Sequence, residues 1–99
     1  MPLMLSRRRL EPGDFEAWKT RFENGAAERK AAGCRGVRRF RGIEDRDELL
    51  MIFDWDTVEN GRAFVRKKTA QVAQLSELRE DGSPKHDYIF VEEMESLSS

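Results

Sequence analysis

The run Leu49-Leu50-Met51-Ile52-Phe53, held between Glu48 and Asp54-Trp55, constrains this chain more than any other feature. Alternate side chains of a strand point to opposite faces, so five consecutive apolar residues put apolar groups on both. Residues 48–55 therefore read as a central strand buried on both faces. Every other segment has to supply neighbours or cover for it. Residues 2–10 read as a strand with Leu3, Leu5, Arg7 and Arg9 on one face and Met4 and Leu10 on the other. Residues 14–32 read as an amphipathic helix, because Phe15, Trp18, Phe22 and Ala26 recur at spacings of three and four. Asp14 is its candidate N-cap and Gly33 its stop, with Asn24-Gly25 a weak point inside it.

Residues 35–43 are a short strand dense in arginine, and Glu44 to Asp47 a polar turn. Asp56-Thr57-Val58-Glu59 signals a helix start, and the second helical stretch covers roughly 58–79, with a break near Lys68-Thr69 left open. After the turn at 80–84, residues 85–95 give a last strand. The order β-α-β-β-α-β defines an α+β, ferredoxin-like plait: a four-stranded antiparallel sheet with both helices on one face. Residues 1–95 form one domain, and 96–99 a frayed tail. The sheet's second face is left uncovered, although the central strand is apolar on both. A second copy of the same sheet is the simplest cover, so a symmetric homodimer is expected.

Charge narrows the function classes. Eighteen Lys and Arg balance nineteen Asp and Glu, which argues against nucleic-acid or membrane-surface partners. No apolar run approaches the ~20 residues that span a bilayer. The arginines at 7–9 follow the short apolar start, the reverse of a secretory signal, so a cytoplasmic location is expected. The single cysteine, Cys34, excludes an internal disulfide and a cysteine-based zinc cluster, and the carboxylates show no metal-type spacing. Arg7 to Arg9 with Phe53 and Trp55 raise the thought of an RNA-recognition module, which shares this element order. The glycine-rich third-strand motif of such modules is missing.

Several segments together carry a resemblance. They are Phe15-Glu16-Ala17-Trp18-Lys19 with Phe22, then Gly36-Val37-Arg38-Arg39-Phe40-Arg41, and the hydrophobic strand ending Asp54-Trp55-Asp56. Gly61-Arg62-Ala63-Phe64 and the closing Ile89-Phe90-Val91-Glu92-Glu93 complete it. The chain resembles small proteins of the dimeric α/β-barrel superfamily, in the group around antibiotic-biosynthesis monooxygenase (ABM) domains. The resemblance implies a homodimer whose two sheets form a barrel, with a pocket in each subunit between sheet and helices. It also implies oxidation of small aromatics or quinols without metal or flavin, hence no cofactor; other members open the haem ring. Two departures count against haem chemistry. The first strand lacks the asparagine of haem-degrading members, and the only histidine, His86, starts the last strand. Quinol-oxidising relatives tend to carry a histidine on the helical side, which is also missing here.

The candidate site follows. His86 is the one side chain with an unperturbed charge change near neutral pH, and Tyr88 shares its strand face. Arg39 and Arg41, sharing a face with Val37, could hold a substrate oxyanion by charge-assisted hydrogen bonds; cross-strand pairing with Glu48, Asp54, Glu92 or Glu93 is their ordinary role. Trp18, Phe22, Trp55 and Phe64 could line a pocket for a small aromatic ligand; core is the favoured role of Phe22 and Phe64, while Trp18 and Trp55 could serve both. In the expected reaction a phenol or enol loses a proton to His86 or water, and the electron-rich anion reacts with oxygen. A non-catalytic binder of hydrophobic ligands, or a structural homodimer with a filled core, is the alternative.

Overall fold

The computed structural model describes residues 2–74 and 86–98, apart from the side chains of 69–74, 86 and 87. The elements are β1 (Leu3–Arg9), α1 (Phe15–Asn24), α2 (Ala26–Ala32), β2 (Cys34–Arg41), β3 (Glu48–Trp55), α3 (Val58–Gln74) and β4 (His86–Val91). The strands form one antiparallel sheet in the order β2-β3-β1-β4. This is the ferredoxin-like plait. The apolar run lies in β3, hydrogen-bonded to β2 on one side and β1 on the other.

The register shows which face each residue takes. Met4 pairs with Phe53 and Phe90, Ser6 with Met51 and Tyr88, and Leu5 with Ile52 and Ile89. Met4, Ser6, Leu49, Met51, Phe53 and Trp55 are buried, which assigns their face to the helices. Trp18 of α1 packs against them, and Phe22, Phe64, Tyr88 and Phe90 close the cluster. Leu5, Ile52 and Ile89 belong to the other face. There Phe40, Leu50 and Ile89 are 47%, 40% and 59% exposed.

The single helix expected over 14–32 is two helices. Gly25 ends α1 with φ −85° and ψ 3°, its N–H bonding Phe22 O at 3.1 Å, and α2 starts at once. Glycine weakens a helix interior, and here the break lets the chain change direction over the sheet. Asp14 sits at the N-cap position of α1, but its side chain makes no cap bond. Gly33 does end α2, at φ 109°, in the left-handed region that favours glycine; a Cβ there would run into the Asp56 carboxylate. Thr57 caps α3 by accepting the Asn60 N–H at 3.1 Å. Through its described length α3 is continuous past Lys68-Thr69. Residues 75–79 of the expected helix, the turn at 80–84 and the first residue of the expected last strand lie outside the described residues. Among the described residues no helix is long and apolar enough to cross a membrane.

Candidate functional site

A cavity of about 200 Å³ lies between the sheet and the helices. The sheet supplies Met4, Ser6 and Arg8 from β1, Met51 and Phe53 from β3, and Tyr88 from β4. The helices supply Trp18, Arg21 and Phe22 from α1, Gly25 and Arg29 at the break and beyond it, and Phe64 and Lys68 from α3. Period-two alternation in the strands and three-four spacing in the helices bring these side chains to one place. The rings form a continuous wall: Trp18 and Phe22 have centroids 5.4 Å apart, and Phe22 and Phe53 6.1 Å.

Polar groups sit within this apolar frame. Ser6 is 2% exposed. Burial pushes the Tyr88 phenol up to about 12, against the opposing pull of the nearby Arg8 charge. At neutral pH Tyr88 is therefore a protonated hydrogen-bond donor. The Arg29 guanidinium lies 3.8 Å over the Phe22 ring, and its Nη1 donates to Phe22 O at 2.6 Å. Desolvation lowers its pKa from the usual guanidinium range. Lys68 Nζ bonds Glu28 Oε2 at 2.9 Å, while Lys67 Nζ takes Oε1 at 3.0 Å; these two bonds hold the Glu28 carboxyl below its ordinary value. None of the described lining residues is a carboxylate or a histidine.

Outside α2, a more open groove of about 760 Å³ runs along β2. Arg29, Lys30, Arg35 and Arg39 line it, together with Phe22, Glu23 and Cys34. Phe22 and Arg29 belong to both spaces, so they form the partition between them. Cys34 is buried, with Sγ 3.5 Å from Gly36 O, and burial pushes its thiol up, away from nucleophilic use.

The structure brings Trp18, Phe22, Phe64 and Tyr88 of the sequence candidates to the cavity. Trp55 is 0% exposed and packs behind it, 5.4 Å from Phe64 and 6.5 Å from Phe53, and Trp55 Nε1 has no hydrogen-bond partner among the described residues. Arg39 lies in the outer groove, 5.3 Å from the Phe22 centroid and 3.5 Å from Glu23 Oε1. Arg41 lies 3.7 Å over Phe15, and its Nε donates to Arg46 O at 2.5 Å. The cross-strand carboxylate partners expected of these two arginines are thus replaced by a helix glutamate and a turn carbonyl. The cause is the overhang of α1, which offers rings and Glu23 on the side of β2 that Arg39 and Arg41 occupy. His86 starts β4, its backbone paired with Arg8, but its side chain lies outside the described part.

Sequence reasoning missed Ser6, Arg8 and Arg29. For Arg8 a signal existed: it alternates with Met4, whereas Arg7 and Arg9 alternate with Leu3 and Leu5. The open-face pair are held by Glu48 and Asp45, with Arg7 Nε 3.2 Å from Glu48 Oε2 and Arg9 bonded to Asp45. Among the described residues no group of three or more His, Cys, Asp or Glu side chains could hold a metal ion.

A four-stranded antiparallel sheet with its helices on one face and an aromatic-walled cavity between the layers defines a small α+β protein of the ferredoxin-like plait. The chain belongs to the antibiotic biosynthesis monooxygenase family, whose model matches residues 3–76. It is similar in structure to a Bordetella bronchiseptica protein classed with these monooxygenases (TM-score 0.71, 19% identity, 94% of this chain and 96% of that one). A Deinococcus radiodurans protein of the same class gives TM-score 0.65 at 11% identity, over 100% and 98%. MhuD, crystallised as a point mutant with two manganese protoporphyrin IX bound per active site, gives 0.63 at 13%, over 100% of each chain. At these identities the likeness is one of fold. A comparison with curated proteins finds no match.

Proposed function

We propose that this protein is a monooxygenase of small electron-rich aromatics, phenols or hydroquinones, acting as a homodimer. The observation that carries the reading is the 200 Å³ chamber, walled by Trp18, Phe22 and Phe53 and lined by the half-buried Tyr88 phenol. Its volume equals that of about seven waters, below the ~300–1,000 Å³ of drug-sized sites. It suits one ring or two fused rings.

The rings would fix the substrate's plane by stacking. Tyr88 Oη–H and the Arg8 guanidinium are the donors placed to stabilise a phenolate or enolate oxygen there. The reaction needs no further reductant. A phenol with a free para C–H gives up its O–H and ring hydrogens to dioxygen. One oxygen atom forms the new C=O and the other leaves as water, with the four electrons coming from the substrate. His86, at the start of β4, or a water, is the proposed proton acceptor. The second copy would cover the open face, where Leu5, Phe40, Leu50, Ile52 and Ile89 lie together.

The test is oxygen uptake with a panel of one- and two-ring phenols. The expected result is uptake above the protein-free rate, reduced at least about tenfold by Tyr88→Phe. If His86→Ala keeps full turnover on a substrate so identified, water is the base. Binding without turnover is a second reading, favoured by the lack of a carboxylate or histidine among the described cavity side chains. Phenol binding with no oxygen uptake would establish it.

A further inference from the structure

Arg29 is paid for in an unusual way. The two acids nearest it in the chain are engaged elsewhere: Glu28 by Lys67 and Lys68, and Glu23 by Arg39. Among the described residues Arg29 forms no ion pair; its one hydrogen bond goes to Phe22 O, and its guanidinium carbon lies 3.8 Å from the Phe22 ring centroid. A guanidinium carries five N–H donors, so most of its bonding capacity is left over. The partition between chamber and groove is thus a partly desolvated cation with donors to spare.

Its placement depends on the helix break. Gly25 has a φ that any residue adopts, so backbone strain does not call for glycine there. A Cβ on Gly25 would lie 3.0 Å from Arg29 Nη1, the tip of a flexible side chain, so glycine gives the guanidinium a few tenths of an ångström more room. With that room the guanidinium folds back across the end of α1 onto Phe22. On the outer side the groove adds Lys30, Arg35 and Arg39 against Glu23, a net positive approach that draws anions inward. On the inner side Arg8, Arg21 and Lys68 line the same chamber as Arg29.

A neutral phenol in this chamber would leave the half-exposed Arg29 guanidinium to water for its remaining hydrogen bonds. An aromatic carboxylate would meet the guanidinium with paired, charge-assisted hydrogen bonds while its ring lay against Phe22 and Trp18. We infer that Arg29 selects the substrate, and that the chamber takes a one- or two-ring aromatic bearing a carboxylate, which enters past Arg29 from the basic groove. This rests on the proposed function for the identity of the chamber as the substrate site, and it adds the charge of the substrate and the residue that reads it.

The experiment is calorimetric titration of the full chain with 2-naphthoate and with 2-naphthamide, which share a shape and differ in charge. The expected result is naphthoate binding at least about tenfold tighter than the amide, with the preference shrinking as salt is raised. Arg29→Gln should bring the ratio close to one, and Arg29→Lys should keep part of it, because a point charge replaces a planar fork. Should Arg29→Gln fail to fold, Arg29→Lys decides: a ratio unchanged from the wild type overturns the assignment to Arg29. Equal binding of the two ligands overturns the inference and leaves the chamber as an aromatic site. A preference that survives Arg29→Gln unchanged overturns the assignment to Arg29. Failure of both to bind overturns the inference and the chamber together. Tight naphthoate binding with no oxygen uptake on any phenol leaves the inference standing and removes the monooxygenase reading.

Discussion

The two faces of the sheet are built in opposite senses. On the face under the helices, β1 presents Met4, Ser6 and Arg8, and β4 adds Tyr88, so polar and charged groups are enclosed. On the open face the same strands present Leu5 and Ile89, opposite Ile52 of β3, so aliphatic groups lie outward. These are the exceptions on each face: the covered side is otherwise the apolar core of Met4, Leu49, Met51, Phe53 and Trp55, and the open side also carries Arg7, Arg9 and Glu48. Under the proposed function, the polar groups among the covered rings would meet a ligand and the aliphatic groups of the open face a second copy. Arg7 and Arg8 state the contrast in adjacent residues. Arg7 sits on the open face beside Glu48 in an exposed pair, and Arg8 lines the chamber.

The largest expected effect is on the open face. Ile52→Asp would place a carboxylate in the apolar stripe of each copy, and in a twofold interface the penalty is incurred twice. Burying an unpaired charge costs several kcal/mol, so the dimer should dissociate at micromolar concentration, as measured by sedimentation, with the fold retained by circular dichroism. A dimer that survives this change uses some other surface. On the covered face, Trp55→Ala removes a side chain with no exposed area. It should cost about 3–5 kcal/mol of unfolding free energy by denaturant titration. A loss under 1 kcal/mol would mean that the layer around Phe53 and Phe64 is loosely packed.

A smaller effect is tied to pH. Tyr88 is the protein's one tyrosine, so phenolate absorbance reports it directly. Its folded pKa, about 12, is raised above the ordinary value of 10. The folded state therefore holds this proton more tightly than the unfolded state. The associated stability is complete below pH 10 and is lost as pH rises from 10 toward 12, by roughly 2–3 kcal/mol. Tyr88→Phe should flatten that part of the stability profile, and phenolate absorbance at the ordinary tyrosine pKa would place the phenol in water. The smallest effect belongs to Arg7→Ala, about 0.2–1 kcal/mol, because the exposed Arg7–Glu48 pair is screened by solvent.

Much of the fold was legible because it rests on periodicity. The Leu49-to-Phe53 run placed β3, the Phe15-Trp18-Phe22 spacing placed α1, and Gly33 marked a stop that its left-handed backbone requires. The break at Gly25 was less so, since a glycine only weakens a helix, and its use here depends on where Arg29 lies in space. The site was half legible. Aromatic spacing pointed to Trp18, Phe22 and Phe64, but nothing local distinguishes them from Trp55, which tertiary packing withdraws behind the chamber wall. Arginines were harder still. Arg39 and Arg41 drew notice because they crowd a short strand, and α1 covers them with rings. Arg29, inside a charged helix, has an importance set by which neighbouring acids are already occupied.

The central claim is that the chamber under the helices is where an aromatic substrate meets oxygen. The most direct measurement is oxygen consumption by the wild-type protein with one- and two-ring phenols, beside Ser6→Leu, which fills the chamber from its floor. The account expects uptake of one oxygen molecule per phenol converted to quinone, and its collapse to the protein-free rate in folded Ser6→Leu. Equal rates in the wild type and the filled variant would contradict it.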